Sequence, residues 1–166
     1  MSLKIEHFEN LQYESIVSKI NDLLVIGSYE KAINEFESIK DKLDLDSLPI
    51  VKNGYSRTII SIKDNYWMSL LRWDSNITTA IHGHPDLAFV CVLAGSIKNI
   101  AYQNNPLKEV DSKDYQVGEF FYAKGPKGKF DNAIHQLVIK KPSLTLHFYS
   151  DDARKGILFS EDELID

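Results

Sequence analysis

A single cysteine in 166 residues, Cys91, excludes an internal disulfide and fits a reducing compartment, so a cytoplasmic location is the expectation. No apolar run approaches the roughly 18 residues that a bilayer-spanning helix needs. The start of the chain, Met1 to His7, lacks the apolar stretch of a secretory signal. Positive charge is also in short supply. Nineteen Lys and Arg face 24 Asp and Glu, a net charge of -5, which argues against a nucleic acid or an anionic membrane as partner. There is no glycine-rich loop of the kind that cradles a nucleotide phosphate, and there is no internal repeat or low-complexity tract.

The remaining composition is that of a soluble globular chain, 43% hydrophobic and 26% charged, and long enough for one domain with its own core. From about Leu11 to Leu43 the apolar residues recur at helical spacing. Ile16, Val17, Ile20, Leu23 and Leu24 form one stripe, Gly27 and Ser28 break it, and Ala32, Ile33, Phe36, Ile39 and Leu43 form a second. Ser28 is a candidate helix cap. His7, ahead of these helices, is expected to be exposed rather than a ligand.

After Pro49 the texture changes to short β-rich runs separated by turn residues. Strands are expected over 55–62, 66–73, 77–85, 87–93, 97–102, 120–122, 133–139 and 144–149. The run from Leu87 to Leu93 is apolar throughout, as in a strand buried on both faces. Strands at this spacing predict an antiparallel sandwich or barrel. The expected division is a helical N-terminal extension over 1–48 and a β-barrel over 49–166, with an acidic, solvated tail after Phe159.

The candidate chemistry starts at His82-Gly83-His84. Alternate residues of a strand share a face, so both imidazoles point the same way and can chelate one metal ion. His135 is the third histidine of the β region, and a barrel brings distant strands to one lumen. Neutral imidazoles suit zinc, iron, nickel or copper, and three protein ligands leave positions open for substrate. Two other sets of residues each share one strand face. Thr145, His147 and Tyr149 alternate with Leu144, Leu146 and Phe148, and Tyr55 shares a face with Arg57. An arginine fork holds a carboxylate bidentately, which a lysine does not. Trp67 and Trp73 are expected in the core, and Cys91 as a small buried hydrophobe.

His82-x-His84, Gly95, Gly118, Pro126-x-Gly128 and His135 together resemble the two motifs of the cupin superfamily. Cupins usually add a glutamate ligand seven residues before the glycine, and that position is Ala88 here. A site of three histidines without the glutamate resembles the thiol dioxygenases, above all the cysteine dioxygenases. Leu146-His147-Phe148-Tyr149-Ser150 is similar to that family's segment carrying a hydrogen-bonded histidine and tyrosine, with Thr145 in place of the usual serine. Tyr55-Ser56-Arg57 resembles its Tyr-x-Arg.

The resemblance, which runs from about Tyr55 to Ser150, implies a mostly β fold: a single cupin barrel (double-stranded β-helix, jelly roll) with the helical extension packed on it. It implies iron(II) on His82, His84 and His135, and a small thiol amino acid and dioxygen as reactants. Arg57 and Tyr55 would orient the substrate carboxylate. Tyr149, placed by His147 and Thr145, would act at the reacting centre. The product would be cysteine sulfinic acid if cysteine is the substrate. Another small thiol such as 3-mercaptopropionate, or a non-catalytic ligand-binding cupin, are the alternative readings. Some family members carry a cysteine at the Ala88 position crosslinked to the tyrosine. Cys91 lies three residues on, facing away, so no such crosslink is expected.

Overall fold

The period-2 runs after Pro49 become strands, and the two helical stripes become helices, in a computed structural model that describes residues 5–7 and 14–165. Helices α1 (Glu14–Val25) and α2 (Tyr29–Lys40) precede most of the strands. The expected helical residues 11–13 and the side chain of His7 lie outside the described residues. Among the described residues no helix is long and apolar enough to cross a membrane. Ser28 occupies the N-cap of α2, but its side chain makes no capping hydrogen bond.

The strands are β1 (Ile5–His7), β2 (Tyr55–Lys63), β3 (Tyr66–Trp73), β4 (Ile77–Thr78), β5 (Ile81–His84) and β6 (Leu87–Ala94), followed by β7 (Ser96–Gln103), β8 (Lys108–Gln116), β9 (Phe120–Lys124), β10 (Asn132–Ile139), β11 (Ser143–Tyr149) and β12 (Leu158–Phe159). They form two sheets. One runs β1-β2-β3-β11-β6-β9; the other runs β12-β5-β10-β7-β8, with β4 also on β10. All pairings are antiparallel except β1 with β2.

The first sheet is buried on both sides. Its outer face carries Met68, Leu70, Phe89, Cys91, Leu146 and Phe148 against Ile20, Leu24, Ala32, Phe36 and Ile39 of the helices. Its inner face carries Leu71, Trp73, Val90 and Val92 against Ile97, Leu137 and Ile139 of the second sheet. Each such side chain, fully removed from water, contributes about 1.5–3 kcal/mol. This double burial is why Leu87 to Leu93 is apolar at every position, and why β11 is buried from end to end.

The short strands β1 and β12 have no counterpart among the expected strands, and two larger departures accompany them. Strand β8 has no counterpart among the predicted strands. Its sequence, Lys-Glu-Val-Asp-Ser-Lys-Asp-Tyr-Gln, buries only Tyr115 and lies at a sheet edge, where exposed charge on both faces erases the alternation. The strand expected over 77–85 is split into β4 and β5. At the break the Thr79 hydroxyl accepts from the Leu137 N–H at 3.0 Å and the Thr79 carbonyl accepts from Gln136 Nε2 at 2.9 Å. The interruption also leaves the Ala80 carbonyl free of the ladder, with a consequence for His82 given below.

Gly83 is fixed by crowding. A Cβ there would stand 2.7 Å from both the Asp131 Cα and the Phe130 carbonyl oxygen, atoms of the backbone that cannot swing away. Gly156 packs over it in turn, since a Cβ on Gly156 would strike the Gly83 carbonyl. Gly83→Ala should therefore cost about 2 kcal/mol by overpacking. In a chain of this size that lowers the thermal midpoint by about 4–8 °C. Thermal unfolding followed by circular dichroism reads the shift, and an unchanged midpoint would show that the β5 backbone has room to move.

Candidate metal centre

His82 and His84 project from β5, and His135 stands directly across from His82 in the β5–β10 register. That register slips between Asn132 and His135, with Ala133 at φ 49°. The bulge re-aims β10 so that His135 meets the two β5 histidines, a common use of bulges beside functional sites. The three side chains form a group whose ligand atoms all lie within 4.8 Å of one another. His84 Nε2 is 2.9 Å from His135 Nε2, which is 3.2 Å from His82 Nε2. The rings stand edge to face, at 67° to 82°.

The proton inventory shows that these residues fit a cation. His82 Nδ1–H donates to the Ala80 carbonyl at 2.8 Å, and His135 Nδ1–H donates to Asn99 Oδ1 at 2.7 Å. Each neutral ring has one proton, so both Nε2 atoms present lone pairs to each other with no hydrogen between them. A metal ion at their focus removes that repulsion. Three nitrogens about 2.1 Å from one ion, on axes at right angles, stand about 3.0 Å apart. The observed 2.9 and 3.2 Å match two edges of such an arrangement, within a group that spans up to 4.8 Å. Among the described residues no carboxylate joins the group.

The predicted residues around this focus are brought together on one cavity of about 350 Å³. Its walls include Tyr55, Arg57, Trp73, His82, His84, His147 and Tyr149, closed by Ala153, Arg154, Gly156 and Leu158 from the segment after β11. Arg57 forms no ion pair with any described residue, and its Nε is buried without a partner. The nearby carboxylate of Asp152 is committed to Arg154, whose Nε donates to both its oxygens at 2.9 Å. Tyr149 stacks on His84, with centroids 4.8 Å apart and the planes at 10°. On β11 the Tyr149 hydroxyl is 2.6 Å from His147 Nδ1, and His147 Nε2 is 2.7 Å from the Thr145 hydroxyl. A larger open groove of about 710 Å³ lies by the end of α2 and shares only Trp73 with this cavity. Its Arg72 is already bonded to the carbonyls of Asp46 and Leu48, and no histidine lines it.

Three contributors have no counterpart among the predicted site residues. The Ala80 carbonyl is backbone, which sequence does not advertise. Asn99 reads as one polar residue among several in β7. Trp73, expected only as core, is buried but also lines the cavity. Its ring packs on Tyr55 with centroids 4.6 Å apart and planes tilted by 37°, and its indole N–H donates to Thr145 Oγ1 at 2.8 Å. Trp67 is half-buried rather than core, with Arg154 over its ring at 5.5 Å. Cys91 faces the helices, and burial pushes its thiol up to about 12. Ala88 is the residue paired with Tyr149 across β6 and β11, so no thiol adjoins the phenol.

Burial and crowding hold the site's imidazoles and phenol uncharged. His84 and His135 are held well below the ordinary histidine value, by burial first and then by neighbouring imidazoles. His147 is also well below it, by burial and then by the Arg57 charge. Burial raises the Tyr149 phenol, so it stays protonated.

No family model matches the sequence, and no curated protein matches it as a relative. Solved structures do share its fold. A cupin superfamily protein from Desulfitobacterium hafniense superposes with TM-score 0.51 at 15% identity, over 66% of this chain and 90% of its own. A conserved protein with a double-stranded β-helix domain from Klebsiella pneumoniae gives 0.52 at 12%, over 70% and 93%. A cupin-2 domain from Rhodospirillum rubrum gives 0.52 at 10%, over 67% and 69%. At these identities the likeness establishes the fold: the chain is a cupin barrel with two N-terminal helices.

The depressed histidines set the acid sensitivity of the metal-free protein. The folded state resists protons that the unfolded chain takes up below about pH 6.5. Stability is therefore fully present above that pH and is lost as the pH falls below it. The slope reaches about 1.4 kcal/mol per pH unit for each of His84, His135 and His147. Urea unfolding of metal-free protein at pH 8 and pH 5.5 should show a clearly lower midpoint at pH 5.5. Equal midpoints would mean that the three rings are hydrated in the folded state.

Proposed function

We propose that this cupin barrel is a non-haem iron(II) thiol dioxygenase acting on a small thiol that carries a carboxylate, with cysteine the leading candidate. One observation carries the reading: an all-imidazole donor group shares a cavity with a buried phenol and an arginine that has no ion pair among the described residues. Three neutral ligands leave the full charge of a divalent ion uncompensated, so the site favours an anionic ligand such as a thiolate. The resemblance of Tyr55-Ser56-Arg57 and of the Thr145 to Ser150 segment to the cysteine dioxygenases supports the same choice.

Iron bound by His82, His84 and His135 would supply the redox chemistry for adding both atoms of dioxygen to a thiol sulfur, giving a sulfinic acid. The protein's own share is binding, orientation and exclusion of water. Arg57, on the wall beside the histidines, pairs with the substrate carboxylate and so fixes which end of the molecule faces the metal. Tyr55 borders Arg57 on β2 and limits the space beside it. Leu71, Leu137 and Leu158 make the rest of the wall apolar, which strengthens each polar contact inside. Tyr149 sits against His84 and brings its hydroxyl to the place where the sulfur reacts, held there by His147 and Thr145.

Purified protein reconstituted with ferrous iron should retain one iron per chain, and His84→Ala should lose most of it; elemental analysis reads both. A wild-type chain that stays metal-free after reconstitution would end the enzymatic reading in favour of a ligand-binding cupin.

Oxygen uptake with a panel of thiols tests the substrate. Cysteine should react well, and cysteamine, which lacks the carboxylate, at least tenfold less efficiently, because a charge-assisted pair in a closed site is worth about 2–5 kcal/mol. Arg57→Ala should shrink that gap by slowing cysteine. 3-Mercaptopropionate keeps the thiol and carboxylate without the amine, and a faster rate with it than with cysteine would reassign the substrate. Cysteamine turned over as well as cysteine would remove Arg57 from recognition.

A further inference from the structure

The Trp73 indole opens a buried chain of hydrogen bonds that ends at the Tyr149 hydroxyl. Trp73 Nε1 is 2.8 Å from Thr145 Oγ1, which is 2.7 Å from His147 Nε2, and His147 Nδ1 is 2.6 Å from Tyr149 Oη. Trp73, Thr145, His147 and Tyr149 are all almost fully buried, at 3%, 0%, 2% and 2% exposure. Three of the four members can donate or accept. The indole N–H can only donate, so it is the one link whose direction is fixed by its chemistry.

That fixed link decides the others. Thr145 Oγ1 accepts from Trp73, and its only other hydrogen-bond partner among the described residues is His147 Nε2. If His147 Nε2 carried the ring proton, Thr145 would accept twice and its own hydroxyl hydrogen would be buried with no acceptor. Such an orphan costs the full desolvation of a donor. The Thr145 hydroxyl therefore donates to His147 Nε2. His147 then carries its proton on Nδ1 and donates it to Tyr149 Oη. The phenol oxygen has accepted on the protein side, and its own hydrogen is left to point into the cavity.

We propose that Trp73 is a positioning residue that sets the polarity of this chain, making Tyr149 a hydrogen-bond donor to whatever lies beside the metal group. Reversed, the same four residues would spend the Tyr149 hydrogen on His147 and present only lone pairs to the cavity. The importance of a donor there for turnover rests on the thiol dioxygenase reading; the direction of the chain does not. Trp73 touches no reacting atom and acts through Thr145 and His147.

The test has one arm that needs no activity. In metal-free, 15N-histidine-labelled full chain, long-range 1H–15N correlation spectra report which ring nitrogen is protonated. The His147 signals are assigned by their loss in His147→Gln. The Nδ1–H tautomer is expected in the wild-type chain and the Nε2–H tautomer overturns the proposal. Trp73→Phe removes the obligate donor, so the tautomers should mix. The second arm is steady-state kinetics with iron content matched. Trp73→Phe should lower kcat about tenfold, the loss of one hydrogen bond, and leave KM for cysteine within about twofold. Thr145→Val, which keeps the shape and breaks the same link, should match it, and Thr145→Ser should restore wild-type behaviour. The double variant Trp73→Phe with Thr145→Val should be no slower than either alone, because both cut one chain. Additive losses would reduce Trp73 to packing; if Trp73→Phe unfolds, the wild-type tautomer and its change in Thr145→Val but not in Thr145→Ser still decide the direction of the chain. If wild-type chain shows no thiol oxidation while the Nδ1–H tautomer is present and Trp73-dependent, the polarity stands and the dioxygenase reading falls.

Discussion

Every side chain of β11 is buried, and the rest of the structure follows from how one strand serves two dry environments. Toward the helices it presents Leu144, Leu146 and Phe148, which need only apolar neighbours and find Ile20, Phe36 and their cluster. Toward the lumen it presents Thr145, His147 and Tyr149, which need hydrogen bonds. A buried polar group without a partner costs about 1–3 kcal/mol, so a row of three is stable only if each satisfies the next. The pleat places them on one face, within reach of each other, and Trp73 on the adjacent β3 closes the free end. The helices are thus part of the site. Without them the outer face of the first sheet would be wet, and the strand that carries the phenol would lose the packing that holds it straight.

The second constraint is charge. The cavity gathers His82, His84, His147 and Arg57 without any acidic side chain among its described walls. Burial deals with the imidazoles by keeping them neutral, which is also the state in which Nε2 can bind a metal. It leaves the Arg57 guanidinium, whose fork suits a carboxylate, without an ion pair among the described residues. Asp152 would be the natural counter-ion, but its carboxylate is held by Arg154 at the mouth. Arg57 is still felt by the Asp152 carboxylate, so part of its charge is balanced from within the fold. A divalent metal held by the three histidines would add two further charges to the same space. On the function proposed above, an anion with two negatively charged ends would meet the guanidinium with one and a bound metal with the other.

Much of this was legible from the chain because it rests on period-2 patterning. The alternation at 55–62, 66–73 and 144–149 gives strands and also says which side chains share a face. That places Tyr55 with Arg57, and Thr145 with His147 and Tyr149, before any coordinates. The all-apolar run at Leu87 to Leu93 reads as double burial. What was not legible has two causes. Strand β8 is held by backbone bonds to β7 and buries almost nothing, so its side chains record solvent rather than pairing. Asn99, the Ala80 carbonyl and the bulge at Ala133 act through geometry that arises only when β5, β7 and β10 are adjacent. Trp73 shows the limit most clearly. Its size and hydrophobicity place it correctly in the core, and the same properties hide the one polar atom that matters.

The strap after β11 ties these parts together. Ser150 accepts from the Leu87 N–H at 3.0 Å and donates to Asp86 at 2.8 Å, pinning the end of β11 to the start of β6. From there Asp152 and Arg154 turn the chain, and Gly156 lets it pass over Gly83 at backbone contact. Gly83 N–H donates to the Ile157 carbonyl at 2.8 Å, and Ile157 N–H to the Phe130 carbonyl at 3.0 Å. The glycine between the two β5 histidines thus serves more than their spacing. It is the point where the strap and the 130–131 turn both press on β5 from behind. The two imidazoles are therefore backed by two further stretches of chain, the strap and the 130–131 turn. That backing is what keeps their Nε2 atoms aimed at one focus while the rest of the cavity is open to a ligand.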